Sequence, residues 1–416
     1  SRTPSSASNR KTWTWSGWLK RGNLSTYQTI FAVDNGSTEI AECYWDGSDN
    51  SIFWHLGGGS NYRFYTNAIY RDSSAWYHIV CSLDTTISSP SGNNTRMKLY
   101  VNGEQVTSFR SNATPSLNYE GLVNLNTQHE IGKRNGTHNP LDGYLGEVHF
   151  IDGTAKAPTD FGETGTYGEW KPIQYSGSYG TNGFYLNFAT ASDMGDDKSG
   201  NTNDWAENNI AATDQMLDSP TNNFCTFNPL DVQTATVHVK EGNLRDNGGT
   251  NRSRGTMAVS SGKWYYEMLY VYQHHGTAGC GIRAVSGATI STVGNDTVQI
   301  SHPYNSGISI VTAGSTTGDL SNGVVSGGSG DSAPGSIIGV MWDMDAETIT
   351  FKSNNSALAS AVTNVDFSGV SGKETMAPYF QIAGGRTVVA NFGQDSSFAG
   401  LKTAQGNTDS NDIGDF

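Results

Sequence analysis

The 416-residue chain has only four cysteines, Cys43, Cys81, Cys225 and Cys280, and none falls in a CxxC spacing or beside a cluster of histidines. That scarcity excludes a dense disulfide framework and a cysteine-based zinc site, and it leaves buried free thiols as the expectation. Basic charge is short as well, 25 Lys and Arg against 39 Asp and Glu giving a formal net charge of −14. Neutralising phosphates needs the opposite excess, so nucleic acid is excluded as a partner. No stretch approaches the roughly 20 apolar residues of a membrane span, and no basic-then-apolar leader opens the chain. Ser1 is not an initiator methionine, and residues are expected to be missing at both ends, a targeting or attachment segment among them.

What is abundant is glycine, 50 residues, together with 16 Phe, 10 Trp and 19 Tyr, and strong helix formers are sparse. This mixture suits short strands joined by tight turns. The length exceeds what one core usually serves, so two large modules are expected. Strand signals recur about every ten residues, at 13–20, 29–33, 52–55, 76–83, 97–101 and 143–151. After Val101, Asn102-Gly103 supplies the two positive φ values of a type I′ hairpin turn. A second series runs through 263–272, 279–284, 307–312, 337–342, 348–353, 377–382 and 388–392, with residues 343–347 as another tight hairpin. Residues 321–335 form a Gly/Ser-rich loop. The expected fold class is therefore all-β, two tandem antiparallel sandwiches. The divisions are 1–160, a loop-rich connector over 161–230, 231–400 and a tail over 401–416, with the acidic stretch 193–218 as an ordered but loop-like bridge.

The pieces Trp13 to Lys20, Trp76 to Val80, Leu99 to Gly103, His129 to Gly132 and Leu141 to Val148, in that order and spacing, resemble the laminin-G-like branch of the concanavalin A-like lectin/glucanase superfamily. Gly262-Lys263-Trp264-Tyr265-Tyr266-Glu267, the segments 338–343 and 349–355, Pro378-Tyr379-Phe380 and Val389-Ala390-Asn391-Phe392-Gly393 resemble a SPRY domain. Segments 142–153, 158–163 and 177–186 are similar to the linker in structural proteins of marine tailed bacteriophages that carry a laminin-G-like module before a SPRY-like one. The resemblance implies jelly-roll sandwiches and a virion surface protein, such as a tail fibre, receptor-binding protein or capsid-attached fibre. Its expected partners are a host cell-surface glycan of the lipopolysaccharide class and neighbouring virion proteins. It is expected to be displayed on the exterior of the tail or capsid as a homo-oligomer, a trimer by analogy with fibres whose weak sites gain avidity together. Alternatives are a secreted bacterial glycan-binding or glycan-degrading protein and a purely structural decoration.

Because the superfamily includes glucanases, a pair of carboxylates must be sought; retaining hydrolases hold two about 5 Å apart. The best local candidate, Glu147 with Asp152, is split, because strand alternation puts Glu147 with His149 and Ile151 and turns Asp152 to the other face. No enzymatic activity is expected. Laminin-G-like modules often hold calcium at a rim, and Asp34, Asp46 and Asp49, with Glu39 near them, are the candidate ligands. Tyr44 to Asn50 reads equally as an Asx-type turn. Aromatics at loop tips could stack on sugar rings: Trp45, Tyr62 and Tyr65 in the first module, and His274, His275 and Tyr304 in the second. Trp13, Trp15, Trp76, Trp264 and Trp342 are expected in the cores.

Overall fold

The computed structural model describes all residues except 37–39, 58–61, 89–95, 136–137, 234–238, 249–250, 273–276, 286–296, 304–307, 313–314, 321–334 and 358–374. The chain is all-β and forms two compact units, residues 1–215 with 219–223, and residues 216–218 with 224–416.

In the first unit the strands are β1 (Thr12–Arg21), β2 (Gln28–Asp34), β3 (Ile40–Trp45), β4 (Ser51–His55), β5 (Arg63–Ile69), β6 (Trp76–Asp84), β7 (Met97–Val101) and β8 (Glu104–Gln105). They continue with β9 (Phe109–Ala113), β10 (His129–Ile131), β11 (Gly143–Asp152), β12 (Gly162–Thr164), β13 (Trp170–Pro172) and β14 (Phe184–Leu186). Two six-stranded antiparallel sheets result, ordered β14-β11-β1-β6-β7-β8 and β10-β2-β3-β4-β5-β9, and β12 pairs β13 as a separate ribbon. The Asn-Gly signal is realised: Asn102 (φ 50°) and Gly103 (φ 85°) turn the chain so that Val101 faces Glu104.

Alternation explains the core. Trp13, Trp15 and Leu19 of β1 point inward and meet Ala41, Cys43, Trp45, Ile52, Trp54 and Phe64 of the opposite sheet in one buried cluster. The other side of β1, bearing Thr14, Ser16 and Lys20, is equally buried. Residues 154–186, read from the sequence as connector from residue 161, cover it. Phe161 and Tyr175 join Val80 and Ile151 in a second apolar cluster, and Tyr100 and Tyr179 pack against that cluster. The aromatic residues that make this segment look irregular in the sequence are what bind it to the sheet, and β14 extends the sheet by pairing with β11. Most of the acidic stretch, residues 193–215, belongs to the first unit, where Asp197 accepts the backbone N–H groups of Tyr185, Ser199 and Asn203 at 2.8–2.9 Å and Trp205 packs edge-on against Phe184.

The second unit pairs its strands in two seven-stranded antiparallel sheets. Tyr266, Met268 and Tyr270 of Lys263–Tyr272 pack with Val340 and Trp342 of Ile337–Asp343 and with Phe380 in its core. The hairpin at 343–347 forms as expected, Asp343 accepting the N–H groups of Asp345 and Ala346 at 2.9 Å. The tail folds back: Phe416 and Asn407 exchange backbone hydrogen bonds, and the Phe416 ring lies 5.0 Å from Tyr265. Trp264 differs from expectation. It lies at the start of its strand, 46% exposed, with its indole N–H donating to the Ser261 carbonyl at 2.7 Å, so it is not a core residue. The four cysteines are buried free thiols, as expected.

Burial strips four histidines of the first unit of their affinity for protons: desolvation drives His78 and His149 down to about 3 and His129 and His55 down to about 4. Since the unfolded value lies near 6.5, the unfolded chain takes up protons first as pH falls, and stability is lost between about pH 6.5 and pH 3–4 at about 1.4 kcal/mol per pH unit per histidine. Differential scanning calorimetry should therefore show the first unit melting about 10 °C or more lower at pH 5 than at pH 7. The fall should be shallower in His149→Gln. An identical melting temperature at both pH values would contradict this account.

Candidate ligand-binding face

The two sheets of the first unit differ in their outer faces. On the covered sheet, the outer side holds a polar pair, Ser16 and His78, with Ser16 Oγ 2.8 Å from His78 Nε2. Trp170 Nε1 lies 3.0 Å from His78 Nδ1, and an indole N–H can only donate. His78 Nδ1 is therefore the acceptor, Nε2 carries the proton, and the ring donates to Ser16. In this tautomer the histidine cannot take the serine proton, so the pair is not an activated nucleophile. Trp18 stacks on His78 at 4.8 Å and completes the packing.

Glu147 sits at a bulge opposite the Ser16–Trp18 interval with φ 50°, and accepts the Tyr185 hydroxyl at 2.6 Å. Burial raises its pKa, while the Tyr185 bond opposes the rise. Tyr185 lies flat on His149 with 4.3 Å between ring centres, and His149 Nε2 is 4.0 Å from Glu147. Asp152 serves elsewhere, accepting the N–H groups of Asn9 and Asn182 at 3.2 and 3.0 Å. Glu147 and Asp152 thus have separate partners, as the alternation implies.

The outer face of the second sheet is built differently. Register sets Thr29, Tyr44, Phe53, Tyr65 and Ser111 side by side across β2, β3, β4, β5 and β9. Their inward neighbours, including Cys43, Trp45, Ile52, Trp54 and Phe64, are in the core, so alternation forces Tyr44, Phe53 and Tyr65 outward. The rings form a continuous row: Tyr27 to Tyr44 at 5.9 Å, Tyr44 on Phe53 at 5.0 Å, and Phe53 edge-to-face with Tyr65 at 5.2 Å. The Arg110 guanidinium lies 4.2 Å over the Tyr65 ring and pairs with Asp49. A second row runs beside the first, Glu130, Ala32, Glu42, His55 and Arg63 in register. Glu42 accepts from Thr29 at 2.6 Å and Arg134 at 2.8 Å. Burial, with Arg134 and Arg63 nearby, drives His55 down to about 4. The face combines half-buried ring surfaces with hydrogen-bonding groups of both signs, the arrangement that recognises an amphipathic ligand lying flat.

Of the residues singled out from the sequence, Tyr65 belongs to this row. Its hydroxyl donates to Asp46 at 2.6 Å and contacts Asp49 at 3.2 Å, and burial together with the Asp46 bond pushes it up to about 12. Trp45 does not: it is wholly buried beneath the Arg21 guanidinium, 4.9 Å from its ring, because alternation turns it inward from Tyr44. Tyr62 is half-buried against Tyr119, edge-to-face at 4.9 Å. His274, His275 and Tyr304 lie outside the described residues, as does Glu39.

The calcium set is not one site. Asp34 pairs with Ile40 at one end of the β2–β3 ladder and Trp45, next to Asp46, pairs with Gln28 at the other, about 20 Å away at strand rise. Each carboxylate is instead occupied by an Asx-type turn. Asp34 accepts the Gly36 N–H at 2.8 Å, Asp46 the Ser48 N–H at 2.8 Å, and Asp49 the Ser51 N–H at 3.0 Å and hydroxyl at 2.5 Å. Against desolvation, these Ser51 bonds and Arg110 hold Asp49 below the usual carboxylate range. Among the described residues no three His, Cys, Asp or Glu side chains gather as a metal site, and no helix is long and apolar enough to cross a membrane.

Tyr44, Phe53, His55 and Arg110 were not singled out from the sequence. A signal for two of them is present: Tyr44 and Phe53 put aromatics at the outward positions of strands that already alternate correctly. If Tyr65 anchors the Asp46 and Asp49 turns, Tyr65→Phe should lower unfolding stability by about 1–2 kcal/mol, whereas Arg110→Ala, losing a solvent-accessible pair, should cost under about 1 kcal/mol. Urea titration of the two variants checks this, and equal stabilities for Tyr65→Phe and the parent would refute it.

Comparison with known proteins agrees with the two-unit architecture. Residues 1–159 match the family model of the concanavalin A-like lectin/glucanases superfamily, and residues 263–395 match that of the SPRY domain. A comparison with curated protein sequences gives no match. Similar solved structures include the SPRY domain of human HERC1, at 19% identity, TM-score 0.28, covering 41% of this chain and 98% of that one. The TRIM65 PSpry domain is 12% identical with TM-score 0.30, covering 40% and 91%, and stonustoxin is 16% identical with TM-score 0.30, covering 40% of this chain and 28% of that one. The chain thus carries a concanavalin A-like domain of laminin-G type followed by a SPRY domain, both of them folds of binding type.

Proposed function

We propose that the chain is a surface protein of a tailed-phage virion that binds host-surface glycan on the outer face of β2–β5 and β9, without turning it over. The observation that carries the binding reading is the unbroken row Tyr27, Tyr44, Phe53 and Tyr65, the last three on adjacent strands, with Asp49, Arg110 and Glu42 at its margins. Sugar rings have apolar C–H faces that stack on aromatic faces, and their hydroxyls bond to carboxylates and guanidinium groups. The phage setting is supported by the sequence resemblance of residues 142–186 and by the order of the two modules. A protein contact through the second unit, to neighbouring virion proteins, is favoured by exposed Trp264, since tryptophan anchors binding hot spots.

On a panel of bacterial lipopolysaccharide glycans, the parent should bind at least one member without releasing product, and Tyr44→Ala with Phe53→Ala should weaken that binding by about 10-fold or more. Binding unchanged in the double variant would sink the assignment of this face, and product release would favour a glycan-degrading enzyme. Virions labelled with antibody to this chain and imaged by electron microscopy should carry label on the tail or capsid exterior; unlabelled particles would rule out the phage setting.

A further inference from the structure

We infer that Cys43 and Cys81 are a latent cross-sheet disulfide site, bridged when the chain folds in the presence of a small-molecule disulfide such as oxidised glutathione. Cys43 lies on β3 of one sheet and Cys81 on β6 of the other, and their sulfurs are 3.9 Å apart across the core of the first unit. A disulfide needs about 2 Å between its sulfurs, so bridging brings the two thiols about 2 Å closer, by side-chain rotation together with adjustment of β3 and β6. Both strands are held by flanking ladders, Cys43 against Phe31 and Trp54, and Cys81 against Trp15 and Leu99. The sulfurs are thus presented to one another by the register of the two sheets.

The other two thiols are set differently, Cys225 taking the Thr256 hydroxyl at 3.8 Å and Cys280 the Tyr270 hydroxyl at 3.9 Å.

The chemistry is thiol–disulfide exchange. One thiol loses its proton and attacks a glutathione sulfur, expelling one glutathione thiolate. The second thiolate then displaces the other glutathione from the mixed disulfide. Two protein thiols become one S–S bond, and one glutathione disulfide becomes two glutathione thiols. Burial and the neighbouring sulfur push the Cys81 thiol up, so little thiolate exists in the folded core. Oxidation must therefore occur as the chain folds or opens. Closing a loop of roughly 40 residues restricts the unfolded chain, so the bridged form should be the more stable. Cys43 points inward and Tyr44 outward, so the bridge leaves the aromatic row untouched.

The test refolds the full chain from denaturant in oxidised and reduced glutathione, followed by alkylation and non-reducing peptide mapping. One Cys43–Cys81 linked peptide is expected, with Cys225 and Cys280 alkylated. The melting temperature of the first unit should rise by about 5–15 °C over the dithiothreitol-treated protein. The rise should vanish in Cys43→Ala with Cys81→Ala and persist in Cys225→Ala. Four alkylated thiols, a different pairing, or a bridge with no rise in melting temperature would overturn the inference. Should the double variant not fold, the peptide map of the parent still decides.

Discussion

The first unit depends on the burial of β1 on both of its faces. One face carries Trp13, Trp15 and Leu19 into the core between the sheets, and the other carries Thr14, Ser16 and Lys20, groups that lose water when covered. A buried polar face is stable only if its donors and acceptors find partners. The covering segment supplies most of them: Thr14 donates to the Thr154 carbonyl at 2.9 Å and accepts the Lys156 N–H at 2.8 Å, and Trp170 fixes His78 against Ser16, while Lys20 donates to Asn223 at 2.7 Å. These bonds add to the apolar contacts of Phe161 and Tyr175 and to the β14–β11 pairing that hold residues 154–186 on the sheet.

That requirement also sets the two outer faces apart. One sheet has its outer face plated by its own chain, whereas the partner sheet keeps half-buried rings on its outer face. The serine, histidine and glutamate that look catalytic by residue type lie on the plated side, committed to one another and to aromatic partners. The rings that look like core by residue type lie on the other. Residue identity alone would place these groups on the opposite faces, and burial shows where each one lies.

Much of the architecture was legible in the residues. Alternating aromatic runs, Asn102-Gly103 and the Asp343 turn each specify local geometry through contacts within a few positions, and each forms as expected. The buried thiols follow from cysteine scarcity. The candidate site was legible only in part. Tyr65 lies in the ring row, but Trp45, one residue from an outward aromatic, reads as a surface residue by type while parity turns it inward. Asp34 was grouped with Asp46 and Asp49 on sequence proximity although a strand pair separates them. Trp264 reads as core by residue type, but it lies at the start of its strand, where its indole bonds to a nearby carbonyl and about half of the residue remains exposed.

The sequence by itself determined the fold class, the strand runs and tight hairpins, and the acidic charge balance, because these rest on short-range backbone preference, periodicity and summed charge. Tertiary structure alone decided which outer face is covered, that Tyr44, Phe53 and Tyr65 form one row, and that Cys43 meets Cys81. Those outcomes depend on strand register and on the packing of segments more than a hundred residues apart, as when Thr14 meets Thr154 and Lys156, and pairwise proximity of that range is not written in any local pattern.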